Sequence, residues 1–222
     1  MRILFSLLMF VFTVALLITG VVYLLARVLS PILSNTDSKA WKGLLKSLGE
    51  HLNKRYNNLV PWDKDMLGLL SLNLQEEKKP GWLNGAASGV FSTIYHEPVL
   101  AYAQQGMGSN KVTLARTSNR EYVFRQKAKE TEIWLNQQPL GLYIDGNLIS
   151  AGRGGKLIGR LERKKDEAAF PVLFGESTTA TLSNPSLISS PNPRALTLYR
   201  AVDAEEENAL LALAILNMTG QA

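Results

Sequence analysis

The chain has 222 residues, with 24 Lys and Arg against 19 Asp and Glu for a net charge of +5; that is room for one good-sized domain plus accessories, not for two full enzyme domains. It contains no cysteine and only two histidines, His51 and His96. A disulfide framework, thiolate metal centres, a Cys nucleophile and lipid attached through Cys are therefore excluded, and histidine chemistry nearly so. Apolar residues make up 46% of the chain but are front-loaded, since the first 30 residues hold only two charges, Arg2 and Arg27.

Ile3 to Ala26 is an unbroken run of 24 uncharged residues. As a helix it would extend roughly 36 Å, more than the hydrocarbon core of about 30 Å. A cleaved signal peptide would need a shorter apolar core and a small-x-small site, and the stretch after Ala26, Arg27-Val-Leu-Ser-Pro-Ile-Leu-Ser, offers none. Residues 1–30 are thus predicted to be an uncleaved transmembrane anchor of a single-pass membrane protein. Arg27, Lys39, Lys42 and Lys46 follow the span, whereas Arg2 and the terminal amine precede it. The positive-inside rule then predicts a cytoplasmic main domain, with the opposite orientation as the alternative.

Residues 31–82 read as a helical juxtamembrane region broken by Pro61 and Pro80. Between Lys39 and Tyr56, Trp41, Leu44, Leu45, Leu48 and Leu52 recur at helical spacing, with Lys42, Lys46, Glu50, His51, Lys54 and Arg55 on the remaining faces. This amphipathic basic helix either lies at the membrane surface, with Trp41 at headgroup depth, or packs its stripe on the following domain. Asp63 and Asp65 suit the start of a second, short helix.

From 83 to 222 the pattern changes to short β-prone runs. The fold class is mainly β with helices, and about 11–12 strands are predicted, near 89–95, 98–103, 111–116, 121–126, 131–135, 140–144, 147–151, 157–162, 170–174, 180–183 and 195–200. Asp145-Gly146 is the best hairpin signal, because a type I′ turn needs positive φ at both central residues. Gly152, Gly154 and Gly155 around Arg153 suggest a tight connection; a phosphate loop would require a helix next, and Leu157 to Glu162 read as strand. After the Pro-rich stretch that starts at Ser189, Asp203 stands three residues before Glu206, a capping-box spacing, and opens a helix. Its core, Ala209-Leu-Leu-Ala-Leu-Ala-Ile-Leu216, is apolar on every face yet too short to span a bilayer. Such a helix must be enclosed by protein, and a barrel of the preceding strands is the enclosure at hand. Ala209, Leu210, Leu211, Leu213, Ile215 and Leu216 are its expected buried residues.

Ile133-Trp-Leu-Asn-Gln-Gln-Pro-Leu-Gly-Leu-Tyr-Ile-Asp-Gly, Lys156-Leu-Ile-Gly-Arg-Leu and the terminal Val202-Asp-Ala-Glu-Glu-Glu-Asn-Ala-Leu-Leu-Ala-Leu-Ala-Ile-Leu carry a further likeness. Over about residues 85–220 the chain resembles the tubby-like superfamily, in its phospholipid-scramblase and LURP-one-related branch. The resemblance implies a β-barrel wrapped around a hydrophobic carboxy-terminal helix, preceded here by a transmembrane helix. The cysteines palmitoylated in scramblases and an acidic calcium loop are absent from this sequence, so it implies a lipid-facing or protein-facing barrel rather than scrambling.

Charge is uneven along the body. Residues 103–165 carry twelve Lys and Arg against five acids, net +7, and residues 166–222 carry two Arg against seven acids, net −5. A basic side turned to anionic headgroups gains about 1 kcal/mol per well-placed cation. The candidate membrane or anionic-lipid contacts are Arg27, Trp41, Lys42, Lys46, Arg116, Arg120, Arg125 and Lys127. No metal, cofactor or catalytic residue is predicted: His-Glu-x-x-His and Gly-x-Ser-x-Gly are missing, and His96 and Glu97, adjacent on a strand, would face opposite sides. Nucleic acid is not expected as a partner, since no binding motif accompanies the basic stretch. Asn217-Met-Thr is a glycosylation sequon on a helix expected to be buried, and is discounted. The expected function is a membrane-anchored, non-catalytic binding module that engages anionic phospholipid or another membrane protein. The alternatives are a structural subunit of a larger membrane complex and a hydrolase with an unrecognised site.

Overall fold

Twelve strands form one antiparallel sheet whose spatial order is the chain order, so that each strand pairs with the next. They are β1 (Leu70–Lys78), β2 (Ala87–Thr93), β3 (Pro98–Met107), β4 (Asn110–Arg116), β5 (Glu121–Lys127), β6 (Glu130–Leu135), β7 (Gln138–Ile144), β8 (Asn147–Ser150), β9 (Leu157–Leu161), β10 (Ala169–Phe174), β11 (Ser177–Ser183) and β12 (Leu196–Leu198). Four helices accompany them: α1 (Arg2–Leu33), α2 (Lys39–Tyr56), α3 (Met66–Leu69) and α4 (Ala204–Met218). The computed structural model describes residues 2–56, 58–78, 86–152, 154–164, 166–187 and 190–220. Arg153 and Ser189, and the side chain of Arg27, lie outside what is described.

Short hairpins follow from local chemistry. Asp145 and Gly146 both have positive φ, 45° and 83°, and join β7 to β8 with Ile144 opposite Asn147. The same two-residue geometry recurs at Asn136 and Gln137, φ 48° and 66°, where Asn tolerates the left-handed region through its short polar side chain. A sheet wound only from neighbours in sequence curls until its ends meet. Here the seam between β1 and β12 is closed by the segment before β12. Leu72 N–H donates to the Pro193 carbonyl at 3.0 Å and Ala195 N–H to the Leu70 carbonyl at 2.7 Å. The Ser71 hydroxyl reaches Asn192 and the Pro193 carbonyl, both at 3.0 Å. The result is a nearly closed barrel with few unpaired edge groups.

The barrel's contents are α4. Asp203 caps it by accepting from the N–H groups of Glu205 and Glu206 at 2.9 and 2.8 Å, and the Glu206 side chain returns the bond to Asp203 N–H. Ala209, Leu210, Leu211, Leu213, Ile215 and Leu216 are all fully buried among Phe91, Leu100, Tyr122, Phe124, Ile133, Leu148 and other inward-facing strand residues. Each large aliphatic side chain so enclosed contributes roughly 1.5–3 kcal/mol. Asn217 is buried too, its amide bonded on both sides, to Arg163 at 2.6 Å and to the Ser183 carbonyl at 2.8 Å.

Two expectations need correction. First, the body does not begin at residue 83. Leu70–Lys78, expected to be helical, is strand β1 and pairs with β2, with Leu70 opposite Thr93 and Leu74 opposite Phe91. Pairing the β2 edge outweighs the helix preference of Gln75, Glu76, Glu77 and Lys78. Asp63 bonds the start of the short helix before it, accepting from Asp65 and Met66 N–H at 3.0 and 3.2 Å, whereas Asp65, at the cap position itself, makes no side-chain cap bond. Second, Trp41 is no membrane contact: of the two readings open for the α2 stripe, packing on the following domain holds, and the stripe lies on the outside of the barrel. Trp41 is 4% exposed, and Leu44, Leu48 and Leu52 are buried with it against Val90, Ala101, Ala103, Val112, Leu114 and Val123. Trp41 is therefore withdrawn from the membrane contacts, because its ring is already covered by protein. Helix α1 is apolar, and Met9–Ala26 is long and apolar enough to cross a membrane, with none of that stretch buried against the rest of the chain.

Candidate functional site

The site begins where α1 meets the barrel. Ile32, in the last turn of α1, is fully buried in the cluster beneath α2. Two residues on, the Ser34 carbonyl accepts from Arg125 Nη1 at 3.0 Å. The rest of that guanidinium is also engaged. Its Nε and Nη2 meet Glu132 at 2.8 and 2.7 Å, and its plane lies 5.0 Å from the Trp41 ring centroid and 5.7 Å from that of Trp134. A planar fork whose two N–H groups converge on one carboxylate oxygen while its face stacks on indole is chemistry that Arg performs and Lys does not. Lys127 Nζ holds the other Glu132 oxygen at 3.2 Å. Burial pushes the Glu132 carboxyl up, and the bonds and charges of Arg125 and Lys127 outweigh it, so its pKa lies below the usual value.

Arg125 is thus corrected from a lipid contact to a buried fastening, and Lys127, one-third exposed, shares its carboxylate partner. Arg125 is 6% exposed and ties α1, α2, β5 and β6 together. Freeing it for a headgroup would leave Glu132 with Lys127 alone.

Between α2 and the outer face of β4 to β6 lies a half-open cleft of about 550 Å³. Trp41, Leu45, Leu114, Val123 and Trp134 give it an apolar floor, and Lys42 and Lys46 stand on its rim. Both lysines are exposed and take no ion-pair partner among the described residues. Thr36 and Asp37, three and four residues past the end of α1, line the cleft as well. Helical spacing explains the arrangement: Trp41, Leu44, Leu45 and Leu48 face the sheet, which leaves Lys42 and Lys46, four apart, side by side above it.

The other expected cations sit elsewhere. Arg116 is at the far end of the cleft, bound to Glu121 at 2.7 and 2.6 Å and to Asn53 at 3.1 Å. Arg120 binds Glu207 of α4 at 2.7 Å, and Trp62 Nε1 donates to the same oxygen at 3.2 Å. With Glu207 buried, this triad closes one end of the barrel over the helix. Arg120 stands about 17 Å along the strand direction from Arg125, five residues away. The eight candidates are therefore no single patch: Lys42, Lys46 and Arg116 line the cleft, with Arg116 at its far end and paired to Glu121, Arg125 and Lys127 are fastenings beside it, and Arg120 belongs to the end of the barrel.

Sequence reasoning missed Trp62, Glu132, Trp134 and Glu207. Glu207 was legible only as one of three acids favouring a helix start, and its partner Arg120 is 87 residues away. The regular i to i+2 spacing of Arg125 and Lys127 on a strand, opposite Glu132 and Glu130 of the next, was the available signal for cross-strand pairing. No group of three or more His, Asp or Glu side chains is placed to hold a metal ion among the described residues. Comparison of the chain with protein-family models, with curated proteins and with solved structures finds no match in any of the three.

Proposed function

We propose that this is a membrane-anchored binding module without catalytic activity, whose cleft beside α2 engages an anionic phospholipid. The observation that carries the reading is the amphiphilic cleft at the foot of the apolar helix: a floor whose half-buried Leu45 and Trp134 can meet acyl or glycerol groups, and two exposed lysines that take no ion-pair partner among the described residues, for the phosphate. Position supports it. If Met9–Ala26 occupies the hydrocarbon, Arg27 to Leu33 continue for seven residues, about 10 Å of helix, comparable with a headgroup layer. The cleft then opens at headgroup depth, and the Ile32 and Arg125 contacts hold it there. Kinship with the tubby-like superfamily is part of the same proposal, supported by a strand barrel around an apolar carboxy-terminal helix. So is the cytoplasmic placement of the barrel, which rests on the Lys and Arg that follow the span.

The test is lipid retention by the full chain. Released from mixed-lipid nanodiscs into mild detergent and weighed by native mass spectrometry, the chain should carry anionic lipid in preference to phosphatidylcholine. The double reversal Lys42→Glu, Lys46→Glu should reduce that preference by about tenfold or more, from roughly 1 kcal/mol per cation removed and the repulsion added. Equal retention of the two lipids, or a preference indifferent to the reversal, would overturn the proposal.

A further inference from the structure

A second cleft, of about 620 Å³, opens at the end of the barrel where α4 begins, between the first turns of that helix and strands β7, β9 and β10. The register of the sheet explains the room. Trp134 is opposite Pro139 and Ile133 opposite Gly141, so Leu140 is an extra residue on β7. In the same way Ile158 is extra on β9 and Thr179 on β11. The hairpins β6–β7, β8–β9 and β10–β11 thus each carry a bulge beside their turn at this one end of the barrel. A bulge bends its strand and re-aims a side chain at the rim, and two of the three extra residues, Leu140 and Ile158, line the cleft. Leu157 and Phe174 complete the apolar wall with them. The Phe174 ring lies against the β9 backbone because Gly159 lacks a Cβ, which would stand 2.8 Å from Phe174 Cε1.

The facing wall is polar, and its atoms are unequally used. Asp203 uses Oδ1 for the helix cap, and both oxygens of Glu206 are held by Arg200. Glu205 is exposed and takes no ion-pair partner among the described residues. The Asn208 side-chain oxygen is shielded from solvent and meets no donor among them, although the backbone carbonyl of that residue accepts from the Tyr122 hydroxyl at 3.2 Å. Lys156 is the one cation of the lining; with Arg200 on Glu206, three carboxylates against two cations leave a net charge of −1.

We infer that this cleft binds a soluble primary amine with an apolar body, in its protonated form. Leu140, Ile158 and Phe174 receive the hydrocarbon, and the cleft falls within the range of about 300–1,000 Å³ common to small-molecule sites. An ammonium offers three donors and no acceptor, which suits one carboxylate without an ion-pair partner and one buried carbonyl oxygen without a donor. A hydrogen bond left unmade at a buried acceptor is unfavourable, and a ligand N–H removes that deficit. An anionic ligand would meet acceptors at both places. None of these residues lines the cleft beside α2, so the inference stands apart from the lipid reading.

The experiment uses the full chain, ¹³C-labelled at the isoleucine δ1 methyls, in phosphatidylcholine nanodiscs. Titration with 2-phenylethylamine at neutral pH should shift the Ile158 methyl signal saturably, through the ring current of the ligand. The anion 3-phenylpropionate has the same body and the opposite charge, and should bind about tenfold more weakly or worse beside Glu205. Glu205→Gln and Asn208→Leu should each weaken amine binding about fivefold, and Lys156→Gln should strengthen it about twofold. Asn208→Leu removes an acceptor that has no donor, so its Tm should not fall, whereas a merely structural role for that amide would lower it. Phosphatidylethanolamine in the disc, an ammonium carried by a lipid, should leave the signal in place. The inference is overturned if the amine causes no saturable shift, if phenylpropionate binds as tightly, if both Glu205→Gln and Asn208→Leu bind as the wild type does, or if phosphatidylethanolamine moves the signal in place of the amine.

Discussion

Helices α2 and α4 lean on the same sheet from opposite sides, and their sequences differ accordingly. Along α4, eight consecutive positions from Ala209 to Leu216 are buried, so every face meets a strand. Along α2 the buried large side chains are Trp41, Leu44, Leu48 and Leu52, on one stripe, while Lys42, Lys46 and Glu50 face outward. The width of the apolar arc thus reports how many sides a helix has covered. It does not report by what: the stripe of α2 fits a membrane surface or a sheet equally well, and only the position of its partner strands decides. α4 had no such ambiguity, because eight apolar residues are too few for a bilayer.

The sharpest way to break this comparison is a lysine scan of both helices, read by denaturant unfolding of the full chain in detergent. Each of Leu210, Leu211, Leu213 and Leu216 replaced by Lys should cost about 3–5 kcal/mol or abolish folding, whatever face it lies on, because an unpaired charge would enter the barrel. On α2 the same penalty should fall only on the buried stripe, at Trp41, Leu44, Leu48 and Leu52, while Lys at Glu50 stays within about 0.5 kcal/mol. A face of α4 that tolerates Lys would mean that the barrel does not surround it.

A smaller effect should come from the end of the barrel. Glu207→Ala removes the acceptor shared by Arg120 and Trp62 and leaves a partly buried guanidinium unpaired. A loss of about 2–3 kcal/mol is expected in the same assay. The paired change Glu207→Ala, Arg120→Ala should recover part of it.

The smallest effect concerns the outside fastening. Glu132 titrates below the usual carboxylate range, so its contribution is present at neutral pH and is lost as pH falls through that lowered pKa. The Tm of the wild type should therefore drop in acid more steeply than that of Arg125→Gln, which lacks the charge that holds the carboxylate down. Because Glu132 is one-third exposed, the difference should be only about 0.5–1 kcal/mol. Identical acid profiles would remove the Arg125–Glu132 pair from the joint.

What could be read from the sequence was local. The Asp145-Gly146 turn, the Asp203 cap and the all-round apolarity of Ala209 to Leu216 each depend on a few neighbouring residues, and each is found in the fold. Strand β1 escaped because Leu70, Leu72 and Leu74 alternate within a stretch whose other residues favour helix; its strand character comes from β2. The placement of the candidate contacts escaped for the same reason. Arg125 reads as one basic residue in a basic stretch, and its fate is decided by Trp41, Trp134, Glu132 and the Ser34 carbonyl, the last of them 91 residues away. Lys42 and Lys46 remained available because neighbours four apart on a helix stay together wherever the helix docks.

The most direct test of the central claim uses the absence of cysteine from the chain. Gly43 lies between Lys42 and Lys46 on α2, and a Cβ there would have no atom within 4 Å, so Gly43→Cys can carry a single bimane without disturbing the packing. In the full chain in nanodiscs, its emission should shift to the blue when part of the phosphatidylcholine is replaced by phosphatidylserine. The shift should vanish in Lys42→Glu, Lys46→Glu. Emission that is the same in neutral and anionic discs would contradict an anionic-lipid site beside α2.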